Sequence, residues 1–136
     1  MHYGGISIAF NWRNYLNLAK DLETGTDEAR LRSSISRAYY ASYCSARNYM
    51  IDTCGRSLPY GEKSHEFVIE YYNGNKGGRT TPRRSKIAQK LLRMKLKRVS
   101  ADYYNNDFNA IILHSEAKFV LTQSNEVIEE IERPML

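Results

Sequence analysis

Arg98 is a charged residue at a position where the helical pattern predicts an apolar one. Apolar residues recur at helical spacing from Ile87 to Met94, and the next position of that stripe is this arginine. A cation on an apolar face needs a partner, and Asp102 lies four residues later on the same face, with Tyr103 beside it. The pattern favours a buried ion pair that joins two helices, and the alternative is an arginine that contacts a ligand.

A second group of candidate residues lies in the stretch SRAYYASYCSAR, where tyrosines alternate with small residues. Arg37 and Tyr40 are one helical turn apart, while Tyr39 and Tyr43 form another pair four residues apart. Since these two rows cannot face the same way, we expect one tyrosine pair to pack in the core. Arg37 and Tyr40 then lie near an edge or groove, unless the arginine is simply solvated beside a packed tyrosine.

Histidines and cysteines offer fewer options for chemistry. His65 begins a short predicted helix and is a candidate for proton transfer, with His114 a weaker one, although a lone histidine is usually an ordinary boundary residue. Cys44 and Cys54 are the only cysteines and belong to no CxxC or Cys/His grouping. We therefore expect reduced, buried thiols, no disulfide and no metal site. Walker, GxSxG and paired-carboxylate motifs do not occur, so no cofactor is predicted.

Between Arg79 and Arg98 the chain carries many cations and no acidic residue. Such a run is either a solvated helix face or a surface for phosphate groups, and the glycine-rich approach to it favours contact with a nucleic-acid backbone. The predicted nucleic-acid-binding residues are Arg79, Arg83, Arg84, Lys86, Lys90, Arg93 and Lys97. Glutamates cluster near the end of the chain, so we also expect an electrically polarised surface.

Composition and length fit one soluble domain spanning residues 1–136. The net charge of +5 and the pI near 9.2 permit anionic partners such as RNA, DNA or nucleotides. No signal peptide and no apolar run of membrane-spanning length is evident, so the chain is predicted to be cytoplasmic and without membrane contact.

The periodicity of apolar residues then defines the elements that must position these side chains. Helices are predicted over residues 6–23, 27–53, 65–72, 82–104 and 107–132. Thr26 or Asp27 is expected to cap the second helix and Ser64 the short third one. No sustained alternation of period two occurs. The predicted fold is all-α, an up-and-down bundle of four main helices plus a short helix.

Three motifs in this order resemble the HEPN domains of prokaryotes, which are small helical bundles frequently paired with a minimal nucleotidyltransferase. The motifs are SRAYYASYCSAR, GEKSHEFVIEYY and LKRVSADYYNNDF, the last followed by a long helix. Many HEPN proteins carry Arg-x-Tyr-Tyr-Ala, then a Lys/Gly-Ser-His start of a short helix, then Arg-x-x-Ala-Asp-Tyr. These patterns fall on residues 37–41, 63–65 and 98–103, and the resemblance extends over residues 8–132.

The resemblance implies a homodimer with RNA or nucleotide handling in a groove near the dimer axis. Many members are metal-independent ribonucleases that act as toxins or defence effectors, and their usual signature is an arginine, four to six residues and then a histidine. This chain departs from that signature. Eight residues separate Arg56 from His65, and His114 lies sixteen positions after Arg98.

Three functions remain open at this point. The first is a HEPN-like module that binds RNA, a nucleotide or a nucleotidyltransferase partner in a toxin–antitoxin or antiviral defence system. The second is a metal-independent ribonuclease in which Arg37 or Arg98 stabilises the phosphorane and His65 or Tyr40 moves the proton of the 2′-hydroxyl. The third is a structural dimerisation partner. The missing signature favours the first or the third, and the basic run favours the first.

Overall fold

The structure is a computed structural model that describes residues 2–3, 6–7, 10–61, 63–105, 109–134 and 136. The helices are α1 (Arg13–Glu23), α2 (Glu28–Asn48), α3 (Ser64–Tyr72), α4 (Pro82–Tyr103) and α5 (Ala110–Glu132), and a π-helical turn, Tyr49–Thr53, follows α2. Near the N-terminus β1 (His2–Tyr3) pairs antiparallel with β2 (Ile6–Ser7), so that His2 lies opposite Ser7. Apart from this two-residue ladder the prediction of an all-α bundle is confirmed.

The start of the first helix differs from the prediction. Residues 6 and 7 are a strand, and the helix begins only at Arg13. The side chain of Asn11 explains this start, because its Oδ1 accepts a hydrogen bond from the Arg13 amide at 3.0 Å. An Asn side chain that bonds an amide two residues later favours a turn over continued helix.

Two other helix starts were predicted from capping residues. Asp27 caps α2, since its Oδ1 accepts from the Arg30 amide at 2.8 Å. The expected cap of α3 is wrong: Ser64 is the first helical residue, and Lys63 occupies the cap position without a side-chain bond. The predicted first turn of the last helix, residues 107–108, lies outside the described residues.

Helix α2 is the centre of the bundle and packs against α1, α4 and α5. Its contact surface is built from small side chains with no solvent exposure: Ala38, Ala41, Ser42 and Ala46. Small residues let the backbones of neighbouring helices approach closely. Large side chains from the other helices, such as Leu16, Leu91 and Leu113, are almost fully buried around this seam.

Two buried serines hydrogen-bond across helix interfaces. Ser34 Oγ of α2 donates to the Ala19 carbonyl of α1 at 2.7 Å. Ser124 Oγ of α5 donates to the Ala38 carbonyl of α2 at 2.6 Å. Both hydroxyls are inaccessible to solvent, so these bonds satisfy groups that would otherwise be costly to bury.

None of the helices in the described ranges combines the length and the apolar character needed to cross a membrane.

Candidate nucleic-acid interface

Arg98 lies at the junction of α4 with α2. The side chain is buried, and its Nη1 lies 3.5 Å from Asp102 Oδ2 one turn later in the same helix. Asp102 Oδ2 also accepts a hydrogen bond from Ser36 Oγ of α2 at 3.2 Å. The ion pair is therefore made within α4, and Ser36 links it to α2. Tyr103 is 70% exposed, and the Arg98 guanidinium lies 6.0 Å from the centroid of its ring.

His65, in the first turn of α3, is surrounded by three tyrosines of α2. Its Nδ1 lies 2.6 Å from the Tyr39 hydroxyl. Its ring stacks on Tyr43 with centroids 4.0 Å apart and meets the Tyr40 ring at 77°, with centroids 5.7 Å apart. The structure thus differs from the expectation that the two tyrosine rows face different ways: Tyr39 and Tyr43 are buried as expected, yet all three rings contact this one histidine.

The surroundings of His65 keep its imidazole neutral. Burial, together with the positive charges of Arg98, Lys95 and Arg47, lowers the pKa of His65 from 6.5 to about 4. Burial also raises the pKa of Tyr39 far above its ordinary value, so that phenol stays protonated at neutral pH. A protonated phenol donates to an unprotonated Nδ1, and the imidazole proton then lies at Nε2.

The four predicted catalytic residues meet around one ring, that of Tyr40. The guanidinium carbon of Arg98 lies 5.3 Å from the ring centroid and that of Arg37 lies 5.5 Å from it. His65 contacts the same ring from α3. Arg37 and Tyr40 are both half-buried. We name this group of Arg37, Tyr40, His65 and Arg98 the Tyr40 cluster.

The cluster continues onto α1 through contacts that the sequence reading missed. Arg37 lies over the Tyr15 ring, 5.0 Å from its centroid, and Arg47 lies 5.7 Å from that of Trp12. These residues and Tyr40 form the α1–α2 face: Trp12, Tyr15, Arg37, Tyr40 and Arg47. A sequence signal did exist, since at 100° per residue Arg37, Tyr40 and Arg47 fall within a quarter of the helix circumference.

Neither arginine of the α1–α2 face has a carboxylate partner in the described part of the chain. Arg37 donates a long hydrogen bond of 3.5 Å to Ser36 Oγ, and Arg47 donates to the side-chain oxygen of Asn48 at 3.1 Å. Neither residue takes part in the ion pairs found among the described residues. As far as the chain is described, the two charges thus have no acidic partner and are interleaved with aromatic rings.

The basic run on α4 was predicted to be free of acidic partners, but several of its cations form ion pairs. Its charges are largely matched by acids on neighbouring helices, because α5 lies alongside with glutamates facing α4, and α3 contributes one further glutamate. The pairs are Arg83 with Glu130, Lys90 with Glu126, Lys95 with Glu66 and Lys97 with Glu116. The expected separation into a basic and an acidic surface is therefore reduced by these contacts.

The other predicted nucleic-acid-binding residues of that run differ in their exposure to solvent. Arg84 is only 4% exposed, and this burial disfavours the predicted contact with a nucleic-acid backbone. Arg79, Lys86 and Arg93 are exposed and make no ion pair within the portion of the chain that is described.

A metal site does not arise among the described residues, since nowhere do three His, Cys, Asp or Glu side chains come close enough to share an ion. The candidate site consists of arginine, tyrosine, tryptophan and histidine side chains. Such groups bind phosphate by charge and stack on the faces of nucleobases.

Comparison with known proteins gives no relative for this geometry. No family model matches the chain, and neither a curated protein nor a solved structure matches it significantly.

Proposed function

We propose that this chain is a HEPN-like module that binds RNA or a nucleotide on the α1–α2 face and the adjoining Tyr40 cluster. One observation carries the proposal: Arg37 and Arg47 have no acidic partner among the described residues and lie over the faces of aromatic rings. Elsewhere on the molecule most of the cations of α4 are engaged by acids.

Cations interleaved with aromatic rings suit a single-stranded nucleic acid. The guanidinium groups neutralise backbone phosphates, while tyrosine and tryptophan rings offer surfaces on which bases stack. Arg37 and Arg47 are ten residues apart on α2, a rise of about 15 Å along the helix. This length accommodates a short segment of strand or a nucleotide with its phosphates.

The state of His65 supports binding over cleavage. A general base must accept the proton of the 2′-hydroxyl, and its pKa should lie near the working pH. With a pKa of about 4, His65 is a weak base, and its Nδ1 is already bonded to Tyr39. Together with the missing Arg-to-His spacing, this disfavours the ribonuclease alternative.

The family setting belongs to the same proposal and rests on the sequence resemblance. It comprises a homodimer and a nucleotidyltransferase or another protein partner within a toxin–antitoxin or antiviral defence system. The third alternative, a purely structural dimerisation partner, predicts no affinity for RNA and is separated by the experiment below.

The test measures binding of a fluorescently labelled single-stranded RNA by anisotropy at low and moderate salt. We expect the double variant Arg37→Ala/Arg47→Ala to bind roughly tenfold more weakly than the unchanged protein, because two phosphate and stacking contacts are lost. The matched control is Arg79→Ala/Arg93→Ala, which removes the same charge from exposed positions of the basic run. Its affinity should fall by less than about threefold.

Three other outcomes would each support a different function or a different site. A larger loss in the Arg79/Arg93 variant would place the interface on the basic run and contradict the proposal. Absence of RNA and nucleotide binding in the unchanged protein would leave the structural role. Cleavage of the RNA in the presence of EDTA, lost in His65→Ala, would establish the ribonuclease instead.

A further inference from the structure

Arg84 is a buried cation that lacks an acidic partner in the described residues. It lies in the first turns of α4 and is 4% exposed. Its Nη2 donates to the sulfur of Cys54 at 3.5 Å, and its Nε is buried with no hydrogen-bond partner in the described part of the chain. Because a guanidinium remains charged even when buried, this position calls for a negative charge and offers an unused donor.

The neighbouring tyrosines do not supply that charge. The rings of Tyr71 and Tyr72 lie 5.7 and 6.0 Å from the Arg84 guanidinium carbon. Burial, followed by the hydrogen bond to Cys54, raises the pKa of Tyr71, and burial raises that of Tyr72. Both phenols are therefore protonated at neutral pH, and the acceptor that Arg84 contacts among the described residues is the sulfur of Cys54.

The two cysteines of the chain differ in their surroundings. Cys54 follows the π-helical turn, with its amide bonded to the Tyr49 carbonyl at 3.1 Å, and is only half-buried. Cys44 lies inside α2 at 4% exposure, and burial raises its pKa. Both thiols are free. Partial access and an adjacent guanidinium are the conditions under which a thiol reacts, and Cys44 is buried away from solvent.

We propose that Cys54 is a site of oxidative modification, at which hydroperoxides convert the thiol to a sulfenic acid beside Arg84. The sulfur attacks the terminal peroxide oxygen, the S–O bond forms and the O–O bond breaks. Sulfur loses two electrons, and the peroxide is reduced to water or an alcohol whose oxygen takes the thiol proton. The guanidinium, whose Nη2 contacts the sulfur, stabilises the attacking group, and the unused Nε–H of the same guanidinium is a donor for the oxygen that is added.

The test treats the intact protein with hydrogen peroxide in the presence of dimedone, which traps sulfenic acids, and maps the label by mass spectrometry. We expect Cys54 to be labelled at least about tenfold faster than Cys44. In Arg84→Gln the labelling of Cys54 should slow by roughly tenfold, because the adjacent positive charge is gone. Cys44 in the same molecule serves as the control, since it becomes labelled when the bundle unfolds.

Equal labelling of the two cysteines in the unchanged protein would overturn the proposal. So would an unchanged Cys54 rate in Arg84→Gln while Cys44 stays protected. If Arg84→Gln exposes Cys44, Arg84→Met replaces it, since methionine is an uncharged side chain that suits a buried position. Slower labelling of Cys54 in the methionine variant supports the role of the guanidinium, and an unchanged rate contradicts it.

Discussion

Helix α4 carries two buried arginines. Both pack on tyrosine rings, but they differ in the polar group that faces the guanidinium. Arg84 and Arg98 are fourteen residues apart, nearly four turns, and so lie on one face of the helix. Each guanidinium lies over a pair of consecutive tyrosines, residues 71–72 for the first and 39–40 for the second, at 5.3–6.0 Å. Each also leaves its Nε without a hydrogen bond among the described residues.

The difference lies in the group that faces the cation. Arg98 has the carboxylate of Asp102, whereas Arg84 has the thiol of Cys54. The carboxylate gives the first arginine an acidic partner within its own helix. The second has no acidic partner among the described residues, and its side-chain hydrogen bond goes to a thiol. The same packing of arginine on tyrosine therefore serves a charge-paired site at one end of α4 and a reactive one at the other.

The largest loss of stability is expected from a change at Gly78, which packs against Tyr71 beside Arg84. A Cβ at Gly78 would lie 2.2 Å from the Tyr71 carbonyl oxygen, which is backbone and cannot yield. We expect Gly78→Ala to lower the free energy of unfolding by about 2–3 kcal/mol, measured by urea denaturation. The control is Gly25→Ala, whose Cβ would meet only the flexible side chain of Arg30. An equal loss in both variants would contradict this explanation.

Replacing each arginine by methionine tests the difference in partners directly. Arg98→Met leaves the partly buried Asp102 without its cation, and we expect a loss of about 2 kcal/mol in the free energy of unfolding. Arg84→Met strands no carboxylate among the described residues, so its stability should change by less than about 1 kcal/mol. Urea denaturation followed by circular dichroism measures both. A larger loss for Arg84→Met would mean that the two sites are not distinguished by their anions.

The smallest expected effect is a dependence of the free energy of unfolding on pH, caused by His65 near Arg98. Because the pKa of His65 is about 4 in the folded protein and 6.5 without burial, the unfolded chain binds more protons between these values. Stability from this residue is complete above pH 6.5 and is lost as the pH falls toward 4. The loss should be roughly 1–2 kcal/mol, since the side chain is only half-buried.

Denaturation curves between pH 4 and 7 test this expectation against His65→Phe, which keeps an aromatic ring and removes the titrating group. The variant should show a shallower fall in stability over this range, whatever its absolute stability. Identical slopes in the two proteins would contradict the lowered pKa.

Much of the fold was predictable because helices are local. The apolar stripe from Ile87 to Met94 and the cap at Asp27 are encoded within a few residues of each other, and both are present. The start of α1 was predicted too early, because the side chain of Asn11 accepts a hydrogen bond from the Arg13 amide and the helix begins only there. The spacing of apolar residues does not reveal such a bond.

The candidate site was less predictable because its properties depend on contacts between helices. The basic run on α4 contains no acid, yet Glu126 and Glu130 reach it from a helix that is more than thirty residues away in the chain. Conversely, Arg37 and Arg47, which have no acidic partner among the described residues, become notable only when Tyr15 of α1 and Trp12 before it bring their rings against them. Charge counted along a sequence does not show which charges are matched in space.

The two buried serines bear on how the helices are aligned along their axes. A seam of alanine and serine side chains has little relief, so neighbouring helices could slide by a turn with small changes in apolar contact. Sliding would separate Ser34 from the Ala19 carbonyl and Ser124 from the Ala38 carbonyl. Each stranded hydroxyl would cost about 1–3 kcal/mol in a place that water does not reach. These two bonds therefore favour one axial alignment of α1 and α5 on α2, and that alignment brings Tyr15 of α1 to Arg37 of α2.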